Sequence, residues 1–392
     1  MRHTAIPLIE ISGDARTRGR QYGESAREQI ARGVAFYRES FARKSGLSWA
    51  EVQERAPQWL PLIDAYLPGI SEEMRGIAEG ANRTFAEILA LNGRGELSYG
   101  NPFLDESRDA CSSYAITEEG SGDGHVYCGQ NWDWSTEVLD TVVMVHIRQP
   151  GKPTIIMQAE AGQIGRQGAN SAGIGLNANG LGGRFGKPLG VPGPYIRRKA
   201  LDAWNMHDAL QAVFEVQQAF CTNLLLTHRD GFAIDVETTP ARHGWMYPTD
   251  GLLVHANHFI ARVPEQLADS YRPFAVDSLY RVPRIERVLK GARGAATSEA
   301  MRDLIATALR DDFGKPNSVC NFPDMRLPPE ERRQTIASNI VDLTTGEYYV
   351  THGLPCDSEY QKLPWNLYDD ATTPEPEWIG MAARDAALVP AD

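Results

Sequence analysis

Five cysteines and nine histidines are the natural candidates for nucleophilic or acid–base chemistry in this 392-residue chain. Among the cysteines, Cys111 stands apart. It lies in Asp109-Ala110-Cys111-Ser112-Ser113-Tyr114, a short way ahead of Gly129-Gln130-Asn131-Trp132-Asp133-Trp134. A free cysteine is usually a small buried hydrophobe, and Cys128, Cys221 and Cys320 read that way. Cys111 instead sits where a helical texture gives way to the first of many strands, just after an acidic residue. A cysteine attacks as its thiolate, and an unperturbed thiol has a pKa of about 8.5, so the nucleophile needs a base. His125, His228, His255, His258 and His352 are available, but none has a papain-like context. An α-amino group, with a pKa of about 7.7–8.0, is a base near neutral pH without any histidine. As the first residue of a processed chain, Cys111 would carry both nucleophile and base.

The elements that must position it divide near residue 110. Residues 1–110 read as a mostly helical N-terminal segment, with a short strand over Ile6 to Ile11 and helical spacing of Tyr22, Ala26, Ile30, Val34, Phe36, Tyr37 and Phe41 from Ala15 to Ala42. Gly19 and Gly23, four apart, weaken that helix and let another backbone come close. Ser48-x-x-Glu51 and Thr84-x-x-Glu87 are capping boxes. Beyond residue 110, short β-rich runs follow at Cys111 to Ile116, His125 to Gln130, Val142 to Arg148, Thr154 to Gln158 and Gly173 to Asn177. Turn clusters separate them, and they read as an antiparallel meander. A helix after Pro194, broken near Asn205, leads to strands at Asn223 to Thr227, Phe232 to Thr238 and Gly251 to Ala256. Helices at Ser278 to Leu289 and Ser298 to Leu309, then a hairpin of Ile336 to Leu343 with Tyr348 to His352, close the pattern. Strands, helices and strands again suggest two sheets packed face to face with helices outside, an α+β fold.

Composition narrows the partners. A net charge of −12 argues against nucleic acid or an anionic membrane, since both need a basic footprint. The first residues lack a signal-peptide pattern, and no run reaches the roughly 18 apolar residues of a membrane span. Scattered cysteines, odd in number and without a Cys-x-x-Cys pair, suit reduced thiols and a cytoplasmic setting, and they offer no metal site. Gly173-x-Gly175-x-x-Ala178 mimics a dinucleotide fingerprint, but no βαβ unit surrounds it. No cofactor is called for.

The segments around Cys111 and Asp133 resemble the isopenicillin N acyltransferase family. These are N-terminal-nucleophile hydrolases related to penicillin V acylase and bile-salt hydrolase. Gly175-Leu176-Asn177-Ala178-Asn179-Gly180, Val254-His255-Ala256-Asn257-His258-Phe259 and Pro194-Tyr195-Ile196-Arg197-Arg198-Lys199-Ala200-Leu201 also fit, as do Arg18-Gly19-x-Gln21-x-Gly23 and Val341-Asp342-Leu343 with Gly353-Leu354-Pro355. The resemblance implies a four-layer αββα sandwich, self-cleavage between Ala110 and Cys111, and two fragments, 1–110 and 111–392, that stay associated. It assigns Asp133 to hold the α-amino group. Asn257 becomes an oxyanion donor, with backbone N–H groups at Asn177-Ala178 as the second donor. Asp277-Ser278-Leu279-Tyr280-Arg281 resembles the active-site arginine segment of bile-salt hydrolases, although Arg281 reads equally as a solvated helix arginine. Ala110 stands where the family often has glycine, and Gln130 where bile-salt hydrolases carry arginine. Trp132, Trp134, Phe185 and Tyr195 are candidates for an apolar acyl pocket.

The implied reaction is attack by Cys111 on a linear amide to give a thioester, then hydrolysis or transfer of the acyl group. The partner is thus a small amide or acyl donor, and a homo-oligomer stays open. Acyl-coenzyme A-dependent N-acyl transfer is one alternative. A sandwich that binds a small amide without cleaving it, and is never processed, is another.

Overall fold

The computed structural model describes residues 6–98, 110–182, 190–218 and 220–369. Asp109 and Phe185 lie outside them. Strands in chain order are β1 (Leu8–Ser12), β2 (Ala110–Ile116), β3 (Tyr127–Ser135), β4 (Val142–Arg148), β5 (Ile155–Glu160), β6 (Gly168–Asn170), β7 (Ile174–Gly180), β8 (Thr222–His228), β9 (Phe232–Thr238), β10 (Gly244–Met246), β11 (Leu252–His255), β12 (Arg333–Asp342), β13 (Glu347–His352) and β14 (Gln361–Asn366). Helices are α1 (Ala15–Ser25), α2 (Arg27–Ser40), α3 (Trp49–Arg55), α4 (Leu60–Tyr66), α5 (Ile70–Ala81), α6 (Phe85–Asn92), α7 (Arg94–Ser98), α8 (Gly193–Leu201), α9 (Met206–Phe214), α10 (Ser278–Leu289) and α11 (Ser298–Leu309).

Two sheets form. One has eight strands in the order β1-β4-β5-β6-β7-β8-β9-β10, the other six in the order β11-β2-β3-β12-β13-β14. Pairing is antiparallel except for β1 with β4. The sheets face one another through β2, β3 and β7, while α2 and α8 cover the larger sheet and α10 and α11 the smaller. This is a four-layer αββα sandwich. The runs read as one meander in fact separate: β2 and β3 belong to the smaller sheet and β4 to β7 to the larger. The turn over Thr136–Thr141 carries the chain from one sheet to the other, and local strand patterns hold no information on which sheet receives them.

The N-terminal segment is woven into this body. β1 adds an edge strand to the larger sheet, and α1 lies against α5 at glycine-to-glycine distance. A Cβ at Gly19 would sit 1.9 Å from the Glu73 carbonyl oxygen, and one at Gly76 2.3 Å from that of Arg16. Both capping boxes form, each hydroxyl accepting from the N3 backbone while the glutamate accepts from the cap residue. Among the described residues no helix is long and apolar enough to cross a membrane.

Candidate functional site

β2 lies between β3 and β11; Cys111, its second residue, pairs with Trp132 of β3, and the pairing with β11 begins at Ser113. Side chains alternate across β2. Cys111, Ser113 and Ala115 face the larger sheet, where Ser113 Oγ accepts from Asn179 Nδ2 (2.9 Å) and Ala115 packs with Leu225 and Ala233. Ser112, Tyr114 and Ile116 turn the other way, and the last two pack with Val282, Ile285 and Leu289 of α10. The Cys111 thiol thus points into the space between the sheets, and its main-chain nitrogen stays at the strand edge.

That nitrogen has a defined partner. The Cys111 N–H donates to Asn257 Oδ1 at 3.0 Å, where the chain leaves β11 opposite the start of β2. Two residues of α10, one turn apart, hold this asparagine. Its own N–H donates to Ser278 Oγ (2.7 Å), and Arg281 Nη2 donates to its Oδ1 (2.6 Å). Arg281 Nη1 reaches the Cys111 carbonyl oxygen and Ser112 Oγ, each at 2.7 Å, and Nε pairs with Asp277 (2.7 Å). Arg281 is therefore no solvated helix residue: it is 0% exposed and binds both Cys111 and Asn257. The signal for this was present, because Ser278, Arg281, Val282, Ile285 and Leu289 form one buried helical stripe.

Asp133 stands in register opposite Ala110, beside the bond expected to break, and its Oδ1 accepts from Thr335 Oγ1 (2.6 Å). Asn257 Nδ2 donates to the Gly180 carbonyl oxygen (2.9 Å), which ties this side chain to the end of β7. The expectation for Asn177-Ala178 is corrected. The Ala178 N–H donates to Gln130 Oε1 (2.9 Å), and Asn177 lies within β7 opposite Leu225, with its amide toward the Cys128 thiol. Gln130 is thus a buried brace for β7.

A cavity of about 620 Å³ opens beside Ala110, with Trp134, Phe274, Phe322 and Asp277 among its walls. Trp132 is the cross-strand neighbour of Cys111, with the Arg166 guanidinium 3.7 Å above its ring. Tyr195 is buried on α8 against Met74 and does not line this cavity. Burial pushes the Cys128 thiol up to about 12 and that of Cys221 higher still, which suits inert core residues. Among the described residues no group of three or more His, Cys, Asp or Glu is placed to hold a metal ion.

Sequence reasoning passed over Glu237, Ser278 and the side chain of His255. His255 and Glu237 are buried and bonded to each other at 3.0 Å. The available signal was the pair Asp235-x-Glu237, two acids on one face of a strand otherwise rich in apolar residues.

Known proteins resemble this chain in sequence. The sequence model of the family described as acyl-coenzyme A:6-aminopenicillanic acid acyl-transferase matches residues 117–353. The match starts just past Cys111 and includes Asp133, Asn177, Asn257 and Arg281. The 40 kDa form of acyl-coenzyme A:6-aminopenicillanic-acid-acyltransferase from Emericella nidulans is 31% identical over 304 residues, covering 77% of this chain and 81% of that protein. Among solved structures, penicillin V acylase from Agrobacterium tumefaciens aligns at 14% identity and a TM-score of 0.36, over 62% of this chain and 83% of that one. A variant of conjugated bile acid hydrolase from Clostridium perfringens aligns at 12% identity and a TM-score of 0.42, over 67% and 99%.

Proposed function

This chain belongs to the acyl-coenzyme A:6-aminopenicillanic acid acyl-transferase family, and from that premise we propose that it is a self-processing cysteine amidohydrolase. In the first step the Cys111 thiol attacks the Ala110 carbonyl carbon. The C–N bond breaks, the acyl group moves to sulfur, and the nitrogen becomes the α-amino group of Cys111. Water then opens the thioester, leaving Ala110 as a carboxylate and regenerating the thiol. Fragments 1–110 and 111–392 stay together through the β1–β4 pairing and the buried Glu73–Arg198 ion pair.

The observation that carries this reading is the grip on Cys111. Its nitrogen already donates to Asn257 Oδ1, and Arg281 holds both residues. A freed amine kept in that place donates one proton to Asn257 and keeps its lone pair for the proton of its own thiol. The processed enzyme then repeats the chemistry on a linear amide. Cys111 takes the acyl group, the α-amino group passes the thiol proton to the leaving amine, and Asp133 steadies the charged amine. Asn257 Nδ2 faces the oxyanion; one such donor is typically worth 10²–10³ in rate. Ala110 restricts the backbone more than glycine would, so self-cleavage is expected to be slow for the family.

Water is the default acceptor. Transfer to an amine is the second outcome, favoured by the acyltransferase named among the relatives. A binding protein that is never processed would not need this convergence on Cys111. We place the reaction in the cytoplasm, because five free cysteines suit a reducing compartment. The test offers a panel of N-acyl p-nitroanilides with and without hydroxylamine. A thioester mass on Cys111, with acyl hydroxamate formed when hydroxylamine is present, is expected. Acyl release that is unchanged in Cys111→Ala would sink the mechanism.

A further inference from the structure

His255 ends β11, two residues before Asn257, and is 0% exposed. Each of its ring nitrogens faces an acceptor. Nδ1 lies 3.0 Å from the Ala256 carbonyl oxygen and Nε2 lies 3.0 Å from Glu237 Oε1. Glu237 is itself committed as an acceptor, with the Ile260 and Ala261 N–H groups donating to Oε1 and the Arg262 N–H to Oε2. A neutral imidazole has one N–H and cannot donate at both ends. The geometry therefore asks for an imidazolium, buried against an ionised carboxylate.

The surrounding groups agree. Asp235 lies 3.9 Å from Nε2; its carboxyl accepts from Asn223 and is pushed up to about 6 by burial, against the pull of His255. Burial alone would strip His255 of its proton, but Asp235 and Glu237 raise it above its ordinary value. Burial also pushes Glu237 up, and the His255 bond and charge with the loop N–H groups bring it below the usual carboxylate range. His258, stacked 6.5 Å from His255, goes the other way. Burial, then the charges of His255 and Arg281, depress it to about 4, and its Nδ1 lies 2.7 Å from Ser278 Oγ. Tyr271 closes the ring of neighbours, its hydroxyl accepting from the Phe259 N–H (3.0 Å).

We propose that Glu237 and a permanently charged His255 are positioning residues that hold the Asn257 side chain against the Cys111 nitrogen. Glu237 grips the chain on both sides of Asn257, at His255 before it and at residues 260–262 after it. It does so from β9 of the larger sheet, so the segment bearing Asn257 is pinned across the gap between the sheets. Neither residue touches a reacting atom. The inference rests on the function proposed above.

The test uses the full chain and Glu237→Gln, which keeps the shape and removes the charge. Self-cleavage of freshly synthesised chain, followed by mass, is expected to slow about 10- to 100-fold at pH 8, the size of effect that a displaced catalytic group brings. Without the carboxylate, His255 loses its proton at pH 8 and regains it in acid. The ratio of variant to wild-type rate is thus expected to rise as pH falls from 8 to 6, which a merely destabilised fold would not produce. Two readouts are independent of turnover. In histidine-labelled protein, the His255 ring resonances (assigned with His255→Gln) should be those of an imidazolium at pH 8, and of a neutral ring in Glu237→Gln. In uncleavable Cys111→Ala chain, the amide at position 111 should exchange faster when Glu237→Gln is added, while its β2 neighbours hold. A neutral His255 at pH 8 in the wild type, or unchanged rate and exchange in Glu237→Gln, would overturn the proposal. If wild-type chain never cleaves, the functional reading falls, while the resonances and the exchange at position 111 still decide whether the pair positions Asn257.

Discussion

Two buried arginines, Arg198 and Arg281, are both nearly inaccessible to solvent, yet they are surrounded in opposite ways. Arg198 on α8 is met by carboxylates: Glu73 accepts from both Nη atoms at 2.7 and 3.0 Å, and Asp202 accepts from Nε at 3.0 Å. Arg18 shares Glu73 from the far side at 2.7 Å. Arg281 on α10 has one carboxylate partner, Asp277, and its remaining donors go to neutral oxygens on Cys111, Ser112 and Asn257. A buried charge is costly unless it is paired. Where the fold needs only cohesion, the charge is neutralised on several sides. Beside Cys111 it is left partly uncompensated, where the proposed reaction would develop negative charge. Arg198 ties helices together; Arg281 ties Cys111 to Asn257.

Exchanging the consequences of the two residues would break that comparison. Arg198→Met strips the cation from two buried carboxylates, so a loss of about 3–5 kcal/mol in urea unfolding is expected, with self-cleavage intact in whatever chain folds. Arg281→Lys keeps a charge but loses the planar fork. It should slow self-cleavage about 10²-fold with a far smaller change in stability. If Arg281→Lys unfolds the protein and Arg198→Met stops cleavage, the assignment of roles is wrong.

Acid sharpens the same contrast. Burial pushes Glu73 and Asp202 up, but Arg198, with Arg18 on the first and Lys152 on the second, brings both below their ordinary values. A carboxylate held low contributes stability above its unfolded pKa and loses it as pH falls through its folded pKa. Acid titration of the melting temperature should therefore show a decline below about pH 4 that is blunted in Arg198→Met. Gly19→Ala forces α1 off α5, since its Cβ would meet the Glu73 carbonyl; a cost of about 1–3 kcal/mol is expected, read by the same unfolding. At the bottom of the scale stands Arg16, whose pairs with Glu72 and Glu79 are exposed. Arg16→Ala should leave melting temperature and cleavage alike.

Much of this arrangement was legible in the residues, for reasons that differ by element. The helices read at Ser278 to Leu289 and Ser298 to Leu309 coincide with α10 and α11, because their apolar stripes are helical in period. The glycines at 19 and 23 signalled a close helix contact, and α5 supplies it. Short edge strands escaped: β10 has three residues, and β14 alternates weakly around Pro364, so neither has a periodic run to detect. The pairing of β1 with β4, and the division of β2–β3 from β4–β7, are long-range facts that no local pattern encodes. In the site, Cys111 and Asn257 were found by motif and are bonded to each other. Arg281 was undervalued because charge was weighed before its place on the buried stripe. The Ala178 N–H was assigned to an oxyanion because Gln130, far away in sequence, could not be seen to take it.

Intact mass and N-terminal sequencing of the purified protein, beside Cys111→Ala, test the central claim most directly. Two fragments, the larger beginning at Cys111 and absent from the variant, are expected. A single uncut chain in both would contradict the account, because Cys111 would then have no free amine to serve as its base.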